Sequence, residues 1–138
     1  PSLAADEATI GGQPARGREL ERIEQILDAV RALGGARAPA RVTTRNILKA
    51  RVAGKGLGTS AAGAAALAAA AVGALYGPEL VANTRFLSCL ARLLAGSGCR
   101  ATAGGLALWL SYPGIAHEDS FAVRLDAAGQ LADMRLVT

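Results

Sequence analysis

Apolar residues recur every three or four positions between Arg18 and Leu33, and Glu, Arg, Gln and Asp fill the positions between them. This period is that of one face of an α-helix, so the pattern predicts an amphipathic helix over 18–33. Gly34 and Gly35 follow directly, and glycine is the residue that most often ends a helix. The expected core positions are Leu20, Ile23, Ile26, Leu27, Val30 and Leu33.

Two further segments have helical patterns of a different kind. The stretch 59–75 is rich in alanine and carries no charge, which predicts a helix that is buried on most sides. The stretch 79–94 is predicted to be one helix by the spacing of its larger apolar residues. These residues are Leu80, Val81, Phe86, Leu87, Leu90, Leu93 and Leu94, and Cys89 is expected to pack beside them.

Short β-branched or alternating segments predict strands between the helices. A strand is expected to end at 9–10, and others to span 41–46 (reaching as far as 48), 106–111, 121–125 and 134–137. The strand at 106–111 is expected to be buried, with Trp109 covering the core. Small residues at 96–105 predict a tight turn. This order of elements predicts a two-layer α+β domain.

Composition restricts the function classes. The chain has 138 residues, enough for one domain, and its few aromatic residues leave Ala, Leu, Val and Ile to build the core. A net charge of +4 favours an anionic metabolite. The cationic residues are scattered and not interleaved with aromatic ones, which argues against nucleic acid. The stretch 59–76 is mostly alanine and glycine, which gain little in lipid, so no membrane span is expected.

Cys89 and Cys99 have neither a C-x-x-C spacing nor a neighbouring histidine, so no metal site and no disulfide framework are predicted. With no secretion signal, a reduced cytoplasmic setting is expected. Cys99 is expected to be a packed thiol, because no base stands near it. The single histidine, His117, is expected at the surface, and Asp119 and Ser120 are expected to support a turn.

The segment 54–63 carries the strongest chemical signal. It reads Gly-Lys-Gly-Leu-Gly-Thr-Ser-Ala-Ala-Gly and runs into the predicted helix at 59–75. Glycines let a backbone approach a ligand closely, and the free N–H groups and positive dipole end of a helix attract anions. The arrangement predicts a phosphate-binding loop, although its lysine does not stand in the Walker position. A glycine-rich turn before a buried helix is the alternative that this loop alone leaves open.

A second small-residue segment, 96–105, reads Gly-Ser-Gly-Cys-Arg-Ala-Thr-Ala-Gly-Gly and is followed by Trp109. The two segments together resemble the G-L-x-S-S-A loop and the G-S-A-C-R-S-x-x-G-G-x-x-x-W motif of the diphosphomevalonate decarboxylases, which belong to the GHMP kinase superfamily. The stretches 8–14 and 118–122 are similar to that family's L-N-G-E-P hairpin and D-S-x-A element. Order and spacing agree, so the resemblance covers most of the chain.

The resemblance implies the two-layer N-terminal domain of the GHMP kinase fold, a ribosomal protein S5 domain 2-like architecture, incomplete at both ends. The family's K-Y-W-G-K motif and its C-terminal domain have no counterpart in 1–138. The chain is therefore expected to be an internal piece of a protein at least twice as long. The family's catalytic Asp and Lys fall outside it. Dimers are common in the family, which makes a homodimer one expectation.

The resemblance also implies a function. The expected reaction is ATP-dependent decarboxylation of mevalonate 5-diphosphate or 5-phosphate to an isopentenyl product, through phosphorylation of the 3-hydroxyl, with ATP and Mg²⁺ as cofactors. One alternative is a mevalonate 3-kinase, or another GHMP kinase, that stops before decarboxylation. A second alternative is a non-catalytic nucleotide-binding fragment. The sequence does not choose between monophosphate and diphosphate substrates.

The same resemblance assigns site residues. Arg100 is expected to hold the substrate carboxylate and to orient an acidic catalytic residue, and Ser97 to hydrogen-bond the substrate. Arg100 and Ser60 are the catalytic candidates. The ATP phosphates are expected at Lys55, Gly56, Leu57, Gly58, Thr59 and Ser60, with the two hydroxyls on phosphate or Mg²⁺.

Some positions depart from the family pattern. Val52 stands where the family has proline, and Lys55 is unusual at its position, where a further phosphate contact is expected from it. Ala95 and Ala101 replace family serines, so this chain lacks two hydroxyls that the family pattern has. Loss of these hydroxyls fits a substrate with fewer phosphates.

Overall fold

The computed structural model describes residues 3–47, 58–126, 130–131 and 133. Its strands are β1 (Glu7–Ile10), β2 (Gln13–Pro14), β3 (Arg41–Thr44), β4 (Ala107–Trp109) and β5 (Ala122–Arg124). Its helices are α1 (Arg18–Gly34), α2 (Thr59–Tyr76), α3 (Pro78–Val81), α4 (Thr84–Leu94) and α5 (Gly98–Ala103), with a 3₁₀ turn at His117–Asp119. The predicted strand at 134–137 lies outside the described residues.

The strands form two small sheets. In the first, the order is β2-β1-β3, with β1 antiparallel to β2 and parallel to β3, and Ala8 lies opposite Val42. A parallel pair needs a crossover connection, and α1 supplies it. The second sheet pairs β4 with β5 in antiparallel register. Helices pack against one another and against these strands, which confirms the predicted α+β class.

The core lies between α1, α2 and α4. Ile26 and Val30 of α1 and Val72 of α2 are fully buried. Ala64, Ala68 and Ala91 are also fully buried, in line with the expectation that alanine contributes to the core. The amphipathic helix at 18–33 is confirmed as α1, and Gly35 follows it in the left-handed conformation with φ 68°. Leu33 was wrongly predicted as a core position, since it lies in the last turn and is 55% exposed.

The alanine-rich helix differs from the prediction, because α2 is buried on one face only. Ala64, Leu67, Ala68, Ala71 and Val72 pack inward, whereas Ala62, Ala66, Ala70 and Ala74 are exposed. The packed face meets α1, α3, α4 and α5, and these elements leave the opposite face uncovered. By length and composition α2 also meets the criteria for a membrane span, with a mean hydropathy of 1.5. The absence of charged residues from α2 therefore did not predict how many of its faces are covered.

The single helix predicted over 79–94 is wrong, since the chain breaks at Ala82 and Asn83. Pro78 begins the short helix α3, and proline suits the first turn because its missing N–H has no helical partner there. The Asn83 side chain then accepts a hydrogen bond from the Phe86 N–H at 3.0 Å and caps α4. The apolar residues keep a helical spacing across both α3 and α4, so the spacing alone did not indicate the break between them.

The predicted turn at 96–105 and the predicted buried strand at 106–111 also need correction. The turn contains the helix α5, which ends at Gly104 with φ 66°. The strand is shortened to β4, and Leu106 and Leu108 are 50% and 47% exposed. Because β4 is part of a two-stranded ribbon, only one of its faces is covered by helices.

Candidate functional site

The N-terminus of α2 is built to receive an anion. Gly58 precedes the helix in the left-handed conformation, at φ 67° and ψ 21°, and no side chain caps the first turn. That turn also holds no acidic residue. The leading N–H groups and the positive end of the helix dipole therefore remain uncompensated by the described part of the chain. Half-buried Thr59 and exposed Ser60 add hydroxyls at the same point.

A cleft of about 1160 Å³ opens beside this helix end, with Thr59 and Ser60 in its wall. The start of α1 and β3 with the residues that follow it also line the cleft. The lining holds three arginines without a described carboxylate partner, Arg18, Arg22 and Arg45, and one acidic residue, Glu19. Arg41 also lines the cleft but is paired with the Glu7 carboxylate. A cleft that has both a helix N-terminus and a surplus of arginines in its lining suits a ligand that carries several negative charges.

Helix α5 is seated against α2 and α4 through Gly98, which is fully enclosed. A Cβ at this position would lie 2.8 Å from the Ala91 carbonyl oxygen and 2.9 Å from the Ala64 Cβ, so only glycine fits without a shift. Ala64 is one helical turn, about 6 Å, along α2 from Ser60. Ala95, just before α5, lines the same cleft as Ser60. The fold thus places the segment 96–105 beside the beginning of α2.

Ser97 and Arg100 have side chains without partners in the described part of the chain. Ser97 is half-buried and precedes α5, but its hydroxyl does not cap that helix. Arg100 is exposed, and its guanidinium forms no salt bridge with any described carboxylate. Neither side chain is among those that line the cleft beside Thr59 and Ser60. The predicted loop residues Lys55, Gly56 and Leu57 lie outside the described residues.

Both cysteines are protected thiols. Cys99 is fully buried, donates its S–H to the Gly96 carbonyl oxygen at 3.1 Å, and has its pKa raised by burial. Burial likewise raises the pKa of Cys89, which faces carbonyl oxygens of the 3₁₀ turn. A raised pKa keeps a thiol protonated and weakly nucleophilic. The prediction that Cys99 is a packed thiol is confirmed.

The segment around His117 is held at the surface by α4. The exposed His117 has its Nδ1 2.6 Å from an Arg92 guanidinium nitrogen, and Asp119 pairs with Arg85 at 2.8 Å. The buried Ser120 hydroxyl donates to the Leu110 carbonyl oxygen and accepts from the Trp109 Nε1–H. The surface position of His117 and the supporting role of Asp119 and Ser120 are confirmed. Within the described ranges, no three potential ligands cluster as a metal site would require.

One polar residue near the site was not singled out from the sequence. Ser88 is fully buried in α4, where its hydroxyl contacts the backbone of both α5 and β5. Its sequence signal is a serine between Leu87 and Leu90, on the face that points into the core. Nothing in the sequence alone identifies the partners of such a hydroxyl.

Comparison with known proteins agrees with this geometry. Residues 1–122 match the family model of the diphosphomevalonate decarboxylase-like N-terminal domain. A phosphomevalonate decarboxylase of Haloferax volcanii is 31% identical over 137 residues, covering 99% of this chain and 40% of the relative. A mevalonate 3,5-bisphosphate decarboxylase of Thermoplasma acidophilum is 38% identical over 76 residues, covering 55% of this chain and 19% of the relative.

Solved structures show the same likeness. The mevalonate diphosphate decarboxylase of Enterococcus faecalis matches with a TM-score of 0.71 at 31% identity, over 90% of this chain and 36% of that one. A structure of MDDEF in complex with MVAPP, AMPPCP and magnesium matches with a TM-score of 0.73 at 32% identity, over 91% and 36% of the two chains. The chain therefore spans well under half the length of the relatives it matches. By its family model, its relatives and its fold, it belongs to the diphosphomevalonate decarboxylase family of the GHMP kinase superfamily.

Proposed function

We propose that the protein containing this chain is an ATP-dependent decarboxylase of a phosphorylated mevalonate, and that residues 1–138 form part of its N-terminal GHMP domain. Its C-terminal domain, with the acidic catalytic residue, then lies outside the chain. One observation carries the proposal. The segment with Ser97 and Arg100 is packed beside the beginning of α2, whose uncapped N-terminus opens on an arginine-rich cleft.

The chemistry explains why these groups belong together. Decarboxylation of a 3-hydroxy acid needs a leaving group at C3, and hydroxide leaves poorly. Transfer of a phosphoryl group to the 3-hydroxyl makes phosphate the leaving group. The bond to the carboxylate then breaks, its electron pair forms the alkene, and carbon dioxide and phosphate depart. Phosphoryl transfer depends mainly on positioning and charge neutralisation, which a helix N-terminus and arginines supply.

The residues divide this work by their chemistry. The N–H groups at Gly58, Thr59 and Ser60 are suited to hold nucleotide phosphates, and the two hydroxyls are suited to phosphate or to Mg²⁺. Arg100 offers a planar, two-pronged donor that matches a carboxylate. Ser97 has a free hydroxyl for the substrate's polar groups. Mg²⁺, when bound, neutralises charge on the transferred phosphoryl group.

A second candidate substrate follows from one of the relatives. The Thermoplasma protein is named for mevalonate 3,5-bisphosphate, in which the 3-phosphate is already present. Val52 and Lys55 depart from the family's nucleotide loop in this chain. If the substrate arrives phosphorylated at C3, the helix end and arginines would bind its phosphates, and ATP would not be consumed.

The experiment that distinguishes these candidates measures the ratio of carbon dioxide released to ADP formed by the full-length gene product with Mg²⁺ and ATP. Mevalonate 5-phosphate, 5-diphosphate and 3,5-bisphosphate are each supplied separately. We expect one carbon dioxide per ADP with the monophosphate or the diphosphate. Carbon dioxide from the bisphosphate without ATP would establish the second candidate instead. ADP without carbon dioxide would leave a kinase, and no turnover of any substrate would leave a binding module.

A further inference from the structure

Ser88 joins three elements of the domain through one hydroxyl. It is a residue of α4 with no exposed surface. Its Oγ donates a hydrogen bond to the Cys99 carbonyl oxygen of α5 at 3.1 Å and accepts one from the Ala122 N–H of β5 at 2.9 Å. A buried hydroxyl is costly unless it is hydrogen-bonded, and here both its donor and its acceptor capacity are used. Ser88 therefore donates to one defined backbone group and accepts from another.

The Cys99 carbonyl is directly connected to the predicted substrate-binding arginine. That carbonyl and the Arg100 N–H belong to one planar peptide unit, so fixing its oxygen fixes the plane from which the Arg100 Cα projects. The Thr102 hydroxyl donates to the same oxygen at 2.7 Å. Helix α5 spans only Gly98–Ala103, and a helix this short has little stability of its own. Its orientation must come from contacts with other elements, namely the packing of Gly98 against Ala91 and Ala64 and the hydrogen bond from Ser88.

We propose that Ser88 is a positioning residue for Arg100. By holding the peptide between Cys99 and Arg100, it aims the guanidinium at the substrate carboxylate without touching the substrate itself. The role of Arg100 in substrate binding rests on the proposed function. The positioning of α5 by Ser88 does not depend on that role and is measured separately.

Ser120 provides a matched control for Ser88. It too is a buried serine, 1% exposed. Its hydroxyl donates one hydrogen bond to a backbone carbonyl and accepts one from a side-chain N–H. Its partners are the Leu110 carbonyl oxygen and the Trp109 side chain, neither of which belongs to α5. Ser88→Ala and Ser120→Ala thus remove equivalent chemistry and should lower the melting temperature by similar amounts. Only the first removes the hydrogen bond that links the Cys99 carbonyl to α4, while the bond from Thr102 stays.

The first measurement is amide hydrogen exchange of the full-length variants, which needs no assumption about activity. Ser88→Ala is expected to speed exchange at 98–103 by about 10-fold or more, because α5 loses a tie to α4. Ser120→Ala is expected to leave exchange at 98–103 near the wild-type rate. Equal protection of 98–103 in both variants would overturn the positioning of α5 by Ser88.

The second measurement is steady-state kinetics with the substrate that the wild-type protein decarboxylates. Ser88→Ala is expected to raise the substrate KM by about 10- to 100-fold, as small misplacements of a binding group do, and to keep the ATP KM within about 2-fold. Ser120→Ala should change neither. Equal changes in both variants would show that Ser88 acts through stability alone.

Two outcomes need separate treatment. If the wild-type protein decarboxylates no substrate, the proposed function fails, and the exchange data still decide whether Ser88 orients α5. If Ser88→Ala does not fold, Ser88→Cys keeps a donor at the same branch point, although it is larger and donates a weaker hydrogen bond. It should then show the same pattern with smaller changes. Wild-type exchange at 98–103 and a wild-type substrate KM in Ser88→Cys would overturn the proposal.

Discussion

At the scale of single residues, the site depends on side chains that the fold leaves without partners. Arg31, Arg41, Arg85 and Arg124 are all committed to carboxylates. Arg100 has no such pairing within the described residues, and it stands in a segment that small residues hold close to α2. A charged group kept without an internal partner is available for an anionic ligand. The absence of an internal partner leaves Arg100 available for the role that the family resemblance implies, contact with the substrate carboxylate, and that role stays a prediction.

The substitution Arg100→Lys tests this assignment. Lysine keeps the charge but loses the planar two-pronged donor, so we expect the substrate KM to rise by about 10-fold or more, with the ATP KM unchanged. Steady-state kinetics on the full-length protein measures both. Arg37→Lys, at another exposed arginine, is the control and should alter neither constant. Equal substrate KM values for wild-type protein and Arg100→Lys would contradict the assignment.

At the scale of elements, two glycines of the same helical region have opposite requirements. Gly58, at the N-terminus of α2, has φ 67°, a conformation that residues with a Cβ adopt only with strain. Gly63 lies within α2, in ordinary helical conformation. A Cβ at either position would meet nothing within 4 Å, so backbone conformation alone separates them. The turn into the helix is what exposes its N–H groups.

We therefore expect alanine at these positions to act in opposite directions. Gly58→Ala should lower the free energy of unfolding by about 1 kcal/mol through strain and should raise the ATP KM. Gly63→Ala should raise the free energy of unfolding by up to about 1 kcal/mol, because alanine is the better helix former. Urea unfolding and nucleotide kinetics measure both effects. The same sign of stability change in both variants would contradict this account.

At the scale of the whole molecule, one charged cluster joins segments that are far apart in sequence. The Asp6 carboxylate accepts hydrogen bonds from both terminal nitrogens of Arg31, at 2.6 and 2.8 Å, and from the Ala40 N–H at 2.7 Å. The side chains of Asp6 and Arg31 are only 11% and 14% exposed. The cluster ties the residue before β1 to the end of α1 and to the entry of β3. It thereby holds the crossover connection in place.

This cluster predicts how stability depends on pH. The hydrogen bonds from Arg31 lower the pKa of Asp6, outweighing the opposite effect of burial, and the Ala40 N–H adds to the lowering. A carboxyl whose pKa is lower in the folded state stabilises the fold above its unfolded pKa, about 3.9, and loses that contribution as the pH falls through the folded value. Asp6→Asn should cost about 2 kcal/mol at pH 7, and the cost should shrink below about pH 4.

Urea unfolding of wild-type protein and Asp6→Asn between pH 7 and pH 2 measures this difference. Glu7→Gln is the matched control, because the pair of Glu7 with Arg41 is exposed and should contribute less than about 1 kcal/mol. A difference between wild-type protein and Asp6→Asn that stays constant with pH would show that the charge of Asp6 is not what stabilises the fold.

The sequence by itself determined the features that depend on local spacing and on motif. The apolar period of α1 and the glycines that follow it predicted the bounds of that helix to within a residue. A helix with one buried and one exposed face has apolar residues at a regular helical spacing, which can be recognised in the sequence. The motifs at 54–63 and 96–105 identified the family through short strings of small residues, hydroxyls and an arginine. The roles of Lys55, Gly56 and Leu57 remain predictions.

Only the tertiary structure decided the features that depend on neighbours distant in sequence. The apolar spacing of 79–94 is the same with or without a break, so only the structure shows that Asn83 caps a new helix there. The exposed alanines of α2 and the helix within 96–105 depend on which elements pack nearby, and no local period encodes that. Ser88 and Asp6 acquire their roles from partners in other elements. Local periodicity determines which face of an element is apolar, whereas long-range contacts determine what that face meets.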